Sequence, residues 1–119
     1  MALTISDYDV NIIKGDDGAF TLNFTKDVYP SEGDTAIFMV KKNANDLDVD
    51  AIITTEIDVL QDKKIPVAVL SADTADVTPN TYRWSLKMDT VEFGTVTVIP
   101  VNASDSYPIF EIEEDLING

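Results

Sequence analysis

The sequence predicts a single all-β domain, a Greek-key sandwich of about seven strands with a short helical turn in one crossover. Three observations predict it. Apolar residues recur with period two in short runs, the pattern of half-buried antiparallel strands. Gly, Pro, Asn and Asp interrupt those runs at intervals of roughly ten residues. The length of 119 residues, with 45% hydrophobic and 25% charged side chains, suits one domain with its own core and is too short for two.

Val10 and Ile12 alternate with Asp9 and Asn11 as a first strand, which the polar stretch Gly15 to Gly18 turns back. From Ala19 to Thr25, Phe20, Leu22 and Phe24 share one face and Thr21, Asn23 and Thr25 the other. Tyr29 to Asp34 reads as a loop. The third run, Ala36 to Val40, is apolar at every position, so this strand either lies central in its sheet or shows one apolar face outward. A polar loop, NANDLDVD, leads to a fourth strand in which Ile53, Thr55, Ile57 and Val59 alternate with Thr54, Glu56 and Asp58.

Gln61 to Lys64 turns the chain into a fifth strand carrying Ile65, Val67 and Val69. Pro66 lacks a backbone donor and places this strand at a sheet edge. Ser71 to Asp76 suits a single helical turn that crosses between sheets. Thr81 to Met88 alternates most cleanly: Tyr82, Trp84, Leu86 and Met88 face one way, Thr81, Arg83, Ser85 and Lys87 the other. Asp89 and Thr90 read as a tight turn before a seventh strand from Phe93 to Val101, with Val96 and Val98 opposite Thr95 and Thr97 and Pro100 ending its pairing. Residues 1–102 are thus the sandwich. Residues 103–119 are a C-terminal extension that reads as an extra strand, a short helix or a docking arm.

Composition narrows the chemistry. Eight Lys and Arg against 22 Asp and Glu give a net charge of −14, which repels phosphate backbones and argues against nucleic acid as a partner. There is no cysteine, hence no disulfide or thiolate chemistry, and no histidine, hence no His-dependent triad. No run approaches the length that spans a bilayer, and MALTISDYDV has no signal-peptide pattern, so no membrane role is expected. The remaining Ser, Thr and Lys residues show no catalytic spacing, so no enzyme activity and no cofactor are expected.

The segment LSADTADVTPNTYRWSLKM places Tyr82 at the start of a core strand just after a crossover. A sandwich can use such a Tyr to cap its corner through a backbone hydrogen bond, and Trp84, two residues on, falls at the inter-sheet position where antibody domains carry a cysteine. Together with KGDDGAFTLNFT, AIFMVKKNANDLDVDAII and FGTVTVIPV, in that order, the chain resembles the immunoglobulin-like domain of bacteriophage and prophage tail proteins. It is similar to the N-terminal domain of phage baseplate upper proteins over roughly residues 9 to 101. Asn80 stands where that pattern usually has Gly; Asn tolerates a left-handed backbone. The resemblance implies an immunoglobulin-like fold and a structural module of a tail or baseplate, made in the bacterial host cytoplasm and carried in the virion. Its partners would be proteins of the tail, or further copies of itself.

Three sets of residues are candidates for recognition. Asp46, Asp48 and Asp50 alternate in one loop beside Asn43 and Asn45, an oxygen-rich set that calcium could use. Against it, an EF-hand counted from Asp46 would need Gly and Glu where Ala51 and Ile57 stand. Ile37 and Met39 face outward if Phe38 and Val40 face the core. Together with Ile109 and Phe110 of the C-terminal stretch they are then the expected interface residues, unless Ile109, Phe110 or Ile112 folds back and covers them. Tyr82 and Trp84 are core. The alternative function, a carbohydrate-binding or adhesive module at a cell surface, would rest on the loop residues Tyr8, Tyr29 and Tyr107.

Overall fold

The computed structural model describes residues 3–6, 8–23, 33–43, 45–57, 64–91, 94–100 and 106–114. Phe24, Tyr29, Val59, Phe93 and Val101, assigned above to strands or loops, lie outside the described residues, as does most of the 61–64 turn. Nine strands form among the described residues. They are β1 Leu3–Ser6, β2 Asp9–Ile13, β3 Gly18–Asn23, β4 Thr35–Lys41, β5 Ile53–Ile57, β6 Lys64–Val69, β7 Asn80–Thr90, β8 Gly94–Ile99 and β9 Ile109–Glu113. A 3₁₀ turn covers Asp48–Asp50, and a single helical turn, Ser71–Thr74, lies between β6 and β7.

The strands form two sheets. The larger has the order β1-β2-β9-β7-β4-β5, with β8 also on β7; the smaller is the antiparallel pair β3–β6. Two strands exceed the expected seven. β1 has four residues, too few for an alternation to register. β9 is the extra strand among the readings of the C-terminal stretch, and it is interior to the sheet: Val10 to Ile13 pair with it in parallel, and Asn80 to Arg83 antiparallel. Both β8 and β9 pair antiparallel to β7, β8 along Leu86 to Thr90 and β9 along Asn80 to Arg83, so they succeed one another along the same edge.

β7 runs through the expected Asp89–Thr90 turn, and the chain reverses one step later. The Thr90 hydroxyl donates to the Gly94 carbonyl at 2.8 Å, and the buried Asp34 carboxylate accepts the Val91 N–H at 3.0 Å. These bonds hold Thr90 in the ladder, and Gly94 takes the positive φ, 72°, that the reversal needs.

The core lies between the sheets, and period-two alternation supplies it from both sides. Phe20, Leu22, Ile65, Val67 and Val69 point inward from the small sheet. Val10, Ile12, Phe38, Val40, Leu86 and Phe110 meet them from the large one. Phe20 packs edge-on against Trp84 and Phe38, with ring centroids 5.6 and 6.0 Å apart. Such pairs add about 0.5–1.5 kcal/mol each beyond the area they bury. Pro66 sits on β6, whose described pairing is to β3 alone, so its missing donor breaks no second ladder.

The crossover is tied at both ends. The Thr74 hydroxyl, fully buried, accepts the Gly15 N–H at 2.8 Å, and Asp17 accepts the Ser71 N–H at 2.6 Å, so the β2–β3 turn clamps the helical turn. Beyond it, the Tyr82 hydroxyl donates to the Thr78 carbonyl, the corner bond expected of this Tyr. The Trp84 indole N–H donates to the Tyr8 carbonyl at 2.7 Å, which anchors the β1–β2 turn to the core. Tyr8 has φ 70°, and Asn80 has no positive φ, so the left-handed tolerance expected of Asn is not used.

Candidate functional site

The outward face of the large sheet carries the features most suited to recognition. β4 lies between β5 and β7, so the apolar run at 36–40 is interior to its sheet and also shows an outer apolar face. Ala36, Phe38 and Val40 are buried, whereas Ile37 is 39% exposed and Met39 is half-buried. Register sets their neighbours. Ile37 lies between Glu56 of β5 and Lys87 of β7, and Met39 between Thr54 and Ser85. The next outward residue, Lys41, stands opposite Arg83.

These side chains form a groove of about 230 Å³ whose floor includes Ile37 and Met39 and whose rim includes Lys41, Arg83, Lys87 and Tyr107. Asp48 and Asp89 also line it. A second hollow, bounded by Lys42, Asn43 and Ser106, shares Arg83 and Tyr107 with the first. Arg83 donates to the Tyr107 carbonyl at 3.1 Å, which holds the segment before β9 against the groove.

The aspartate loop is organised by Lys41. Its ammonium donates to Asp48 Oδ1 at 2.7 Å and to the Asp46 carbonyl at 2.9 Å. Lys41 beside it, through that hydrogen bond and its charge, holds the Asp48 carboxyl below the usual value of 3.8; Lys87 adds a weaker pull. Asp46 Oδ2 accepts the Asn43 N–H at 3.0 Å. Asp46 and Asp48 are therefore engaged by the loop itself, and among the described residues no three acidic side chains gather in a metal-binding group.

The other expected interface residues divide. Phe110 is fully buried, its ring 5.9 Å from that of Phe38, so it is core and not interface. The cause is the parallel pairing with β2, which turns Phe110 and Ile112 inward and leaves Ile109 half-buried on the outer side, opposite Arg83. β9 lies beside β7 and not over β4, so Ile109, Phe110 and Ile112 do not cover Ile37 and Met39. Tyr82 and Trp84 are buried as expected. Tyr8 and Tyr107 are exposed, and Tyr29 lies outside the described residues.

Sequence reasoning missed Lys87 and Arg83 as site residues. Alternation on β7 already placed them outward, and the missing information was which strand lay beside them. Leu47 and Val49, loop residues by sequence, are 68% and 87% exposed on either side of Asp48.

Fold and face together define a two-sheet β protein with an apolar, cation-rimmed groove on its outer face. No protein-family model, curated protein or solved structure matches the chain.

Proposed function

We propose that this protein is a non-catalytic assembly module of a phage or prophage tail, of baseplate type, with an immunoglobulin-like Greek-key fold, and that it acts through protein contacts on the outer face of β4 and β7. The observation that carries this reading is the Tyr82 corner bond to Thr78 beside the cross-sheet contact of Trp84 with Phe20. It occurs in the segment on which the resemblance to phage tail domains is most specific. Strand order supports it further: β3 and β6 correspond to the B and E strands of an immunoglobulin-like sandwich. β4, β5 and β7 correspond to C, C′ and F, and the last strand is split into β8 and β9. The groove supplies a face for docking, since exposed apolar residues with a polar rim mark contact surfaces.

The test is a photo-crosslinking residue at position 39 of the full chain, expressed in a particle-producing host. A crosslink to a tail component, with the protein present in purified particles, is the expected outcome. Absence from particles and no crosslink to any particle protein sinks the reading.

A cell-surface adhesive module is the second reading, favoured by Tyr107 standing exposed beside Arg83. Sugar rings stack on such aromatics. Saturable binding of one glycan, lost in Tyr107→Ala, would put this reading first.

A further inference from the structure

We propose that the outer groove of β4 and β7 is a two-fold self-association surface, and that its occupant is a second copy of this chain. This rests on the assembly reading and names the partner at that face.

Charge makes the first argument. A chain of net charge −14 repels its own copies over most of its surface. Four of its eight cations, Lys41, Lys42, Arg83 and Lys87, line the groove or the hollow beside it. Asp48 and Asp89 sit in the same lining. A two-fold contact sets a patch against itself, so the patch must carry both members of each complementary pair. This face does, because its cations can meet the carboxylates of the other copy. Lys41 is already held by Asp48, whereas Lys87 is exposed and has no ion pair among the described residues.

Shape makes the second argument. The groove offers a floor, Ile37 and Met39, and the 3₁₀ turn beside it offers projecting apolar residues, Leu47 and Val49. The turn reaches the groove through Asp48, which lies between those two residues and contributes to the lining. Floor and projection in one patch let each copy insert its turn over the floor of the other. A purely acidic peptide would match the cations but would meet Asp48 and Asp89. Nucleic acid would be repelled by the chain as a whole.

The experiment is sedimentation velocity on the full chain from about 1 μM to about 1 mM, the range over which weak dimers dissociate. A monomer–dimer equilibrium is expected. Val49→Asp and Lys87→Glu should each weaken it at least about tenfold, roughly the loss of one well-placed interface contact. Leu70→Asp, at an apolar residue 59% exposed next to the helical turn, should leave it unchanged. Val49 is too exposed for its replacement to unfold the domain, and a thermal melt of each variant checks this. The proposal is overturned by a monomer at every concentration, by association that continues past the dimer, or by Leu70→Asp weakening the dimer as much as Val49→Asp. A monomer that still crosslinks from position 39 to another tail component would end the self-association proposal and leave the assembly reading intact.

Discussion

β7 presents two surfaces made of alternate residues of one strand, and they follow different rules. Tyr82, Trp84, Leu86 and Met88 are each at most 4% exposed, packed among aromatic and aliphatic side chains from both sheets. Arg83, Ser85, Lys87 and Asp89, one residue away in each case, form a mixed-charge wall over Ile37 and Met39. The inner face is specified by volume and by a few directed hydrogen bonds, so substitutions there register as stability. The outer face holds little folding energy, so substitutions there register as binding. Variants that move the wrong quantity break this division.

The largest expected effect is at Trp84. Truncation to Ala removes a side chain that meets Phe20 across the core and Phe38 on the neighbouring strand, and it also frees the Tyr8 carbonyl. The cavity and lost burial should cost about 3–5 kcal/mol, a large part of the roughly 5–15 kcal/mol that holds a domain folded. Urea denaturation measures it. A loss below about 1 kcal/mol would show that the two sheets do not depend on this contact.

Next comes Gly18→Ala. A Cβ at this position would stand 2.6 Å from Leu3 Cβ and 2.9 Å from Leu3 Cδ1, so β1 would have to move off β3. Replacing Gly by Ala in a compatible backbone commonly stabilises by about 0.4–1 kcal/mol. Here overpacking should reverse that sign and cost about 1–3 kcal/mol. A stabilised variant would mean that β1 is not fixed against the core. This contact marks a limit of what the sequence reveals. Alternation is local, which is why Tyr82 to Met88, Phe20 with Leu22, and Ile65 to Val69 were readable as inward-facing from single runs. The crossover was readable too, because the corner Tyr and the turn-forming residues Ser71 to Thr74 are close in sequence. Which strands lie side by side is not local. Phe110 faces inward because β9 pairs with β2, a partner a hundred residues away, as the hydrogen bond from Asn11 to Glu111 shows. Nothing in the run IFEIE carries that pairing. The groove was half readable for the same reason: Ile37 and Met39 followed from one strand, whereas its cationic wall required the register of β4 on β7.

A smaller effect belongs to the Tyr82 hydroxyl. Tyr82→Phe keeps the buried ring and deletes the bond to Thr78, a loss of about 0.5–1.5 kcal/mol. Burial also pushes the Tyr82 phenol above its ordinary value of 10.0. A group whose pKa is raised in the folded state contributes stability that is complete below its unfolded value. That contribution disappears as pH rises through the folded value. The wild-type protein should therefore lose stability above pH 10.0, and Tyr82→Phe should lose less over the same range. Melting temperatures measured across that limb decide it: parallel curves for the two proteins would remove Tyr82 as a source of alkaline sensitivity.

The smallest effect is expected at Asp48, on the outer face, and it tests the division from the other side. Its ion pair with Lys41 is short, 2.7 Å, yet the Asp48 side chain is 75% exposed. Solvent and salt screen such a pair. Because Lys41 lowers the Asp48 pKa, the associated stability is present above 3.8 and is lost as pH falls through the lowered folded value. Exposure makes that acid-limb contribution small. Asp48→Asn should leave the urea midpoint unchanged at neutral pH and about 0.15 M salt, and should barely alter the acid limb. In the sedimentation experiment the same variant removes one carboxylate from each copy's groove and should weaken association. A variant that instead melted early while associating normally would place Asp48 among the residues that hold the fold, and the outer face would no longer be separable from the core beneath it.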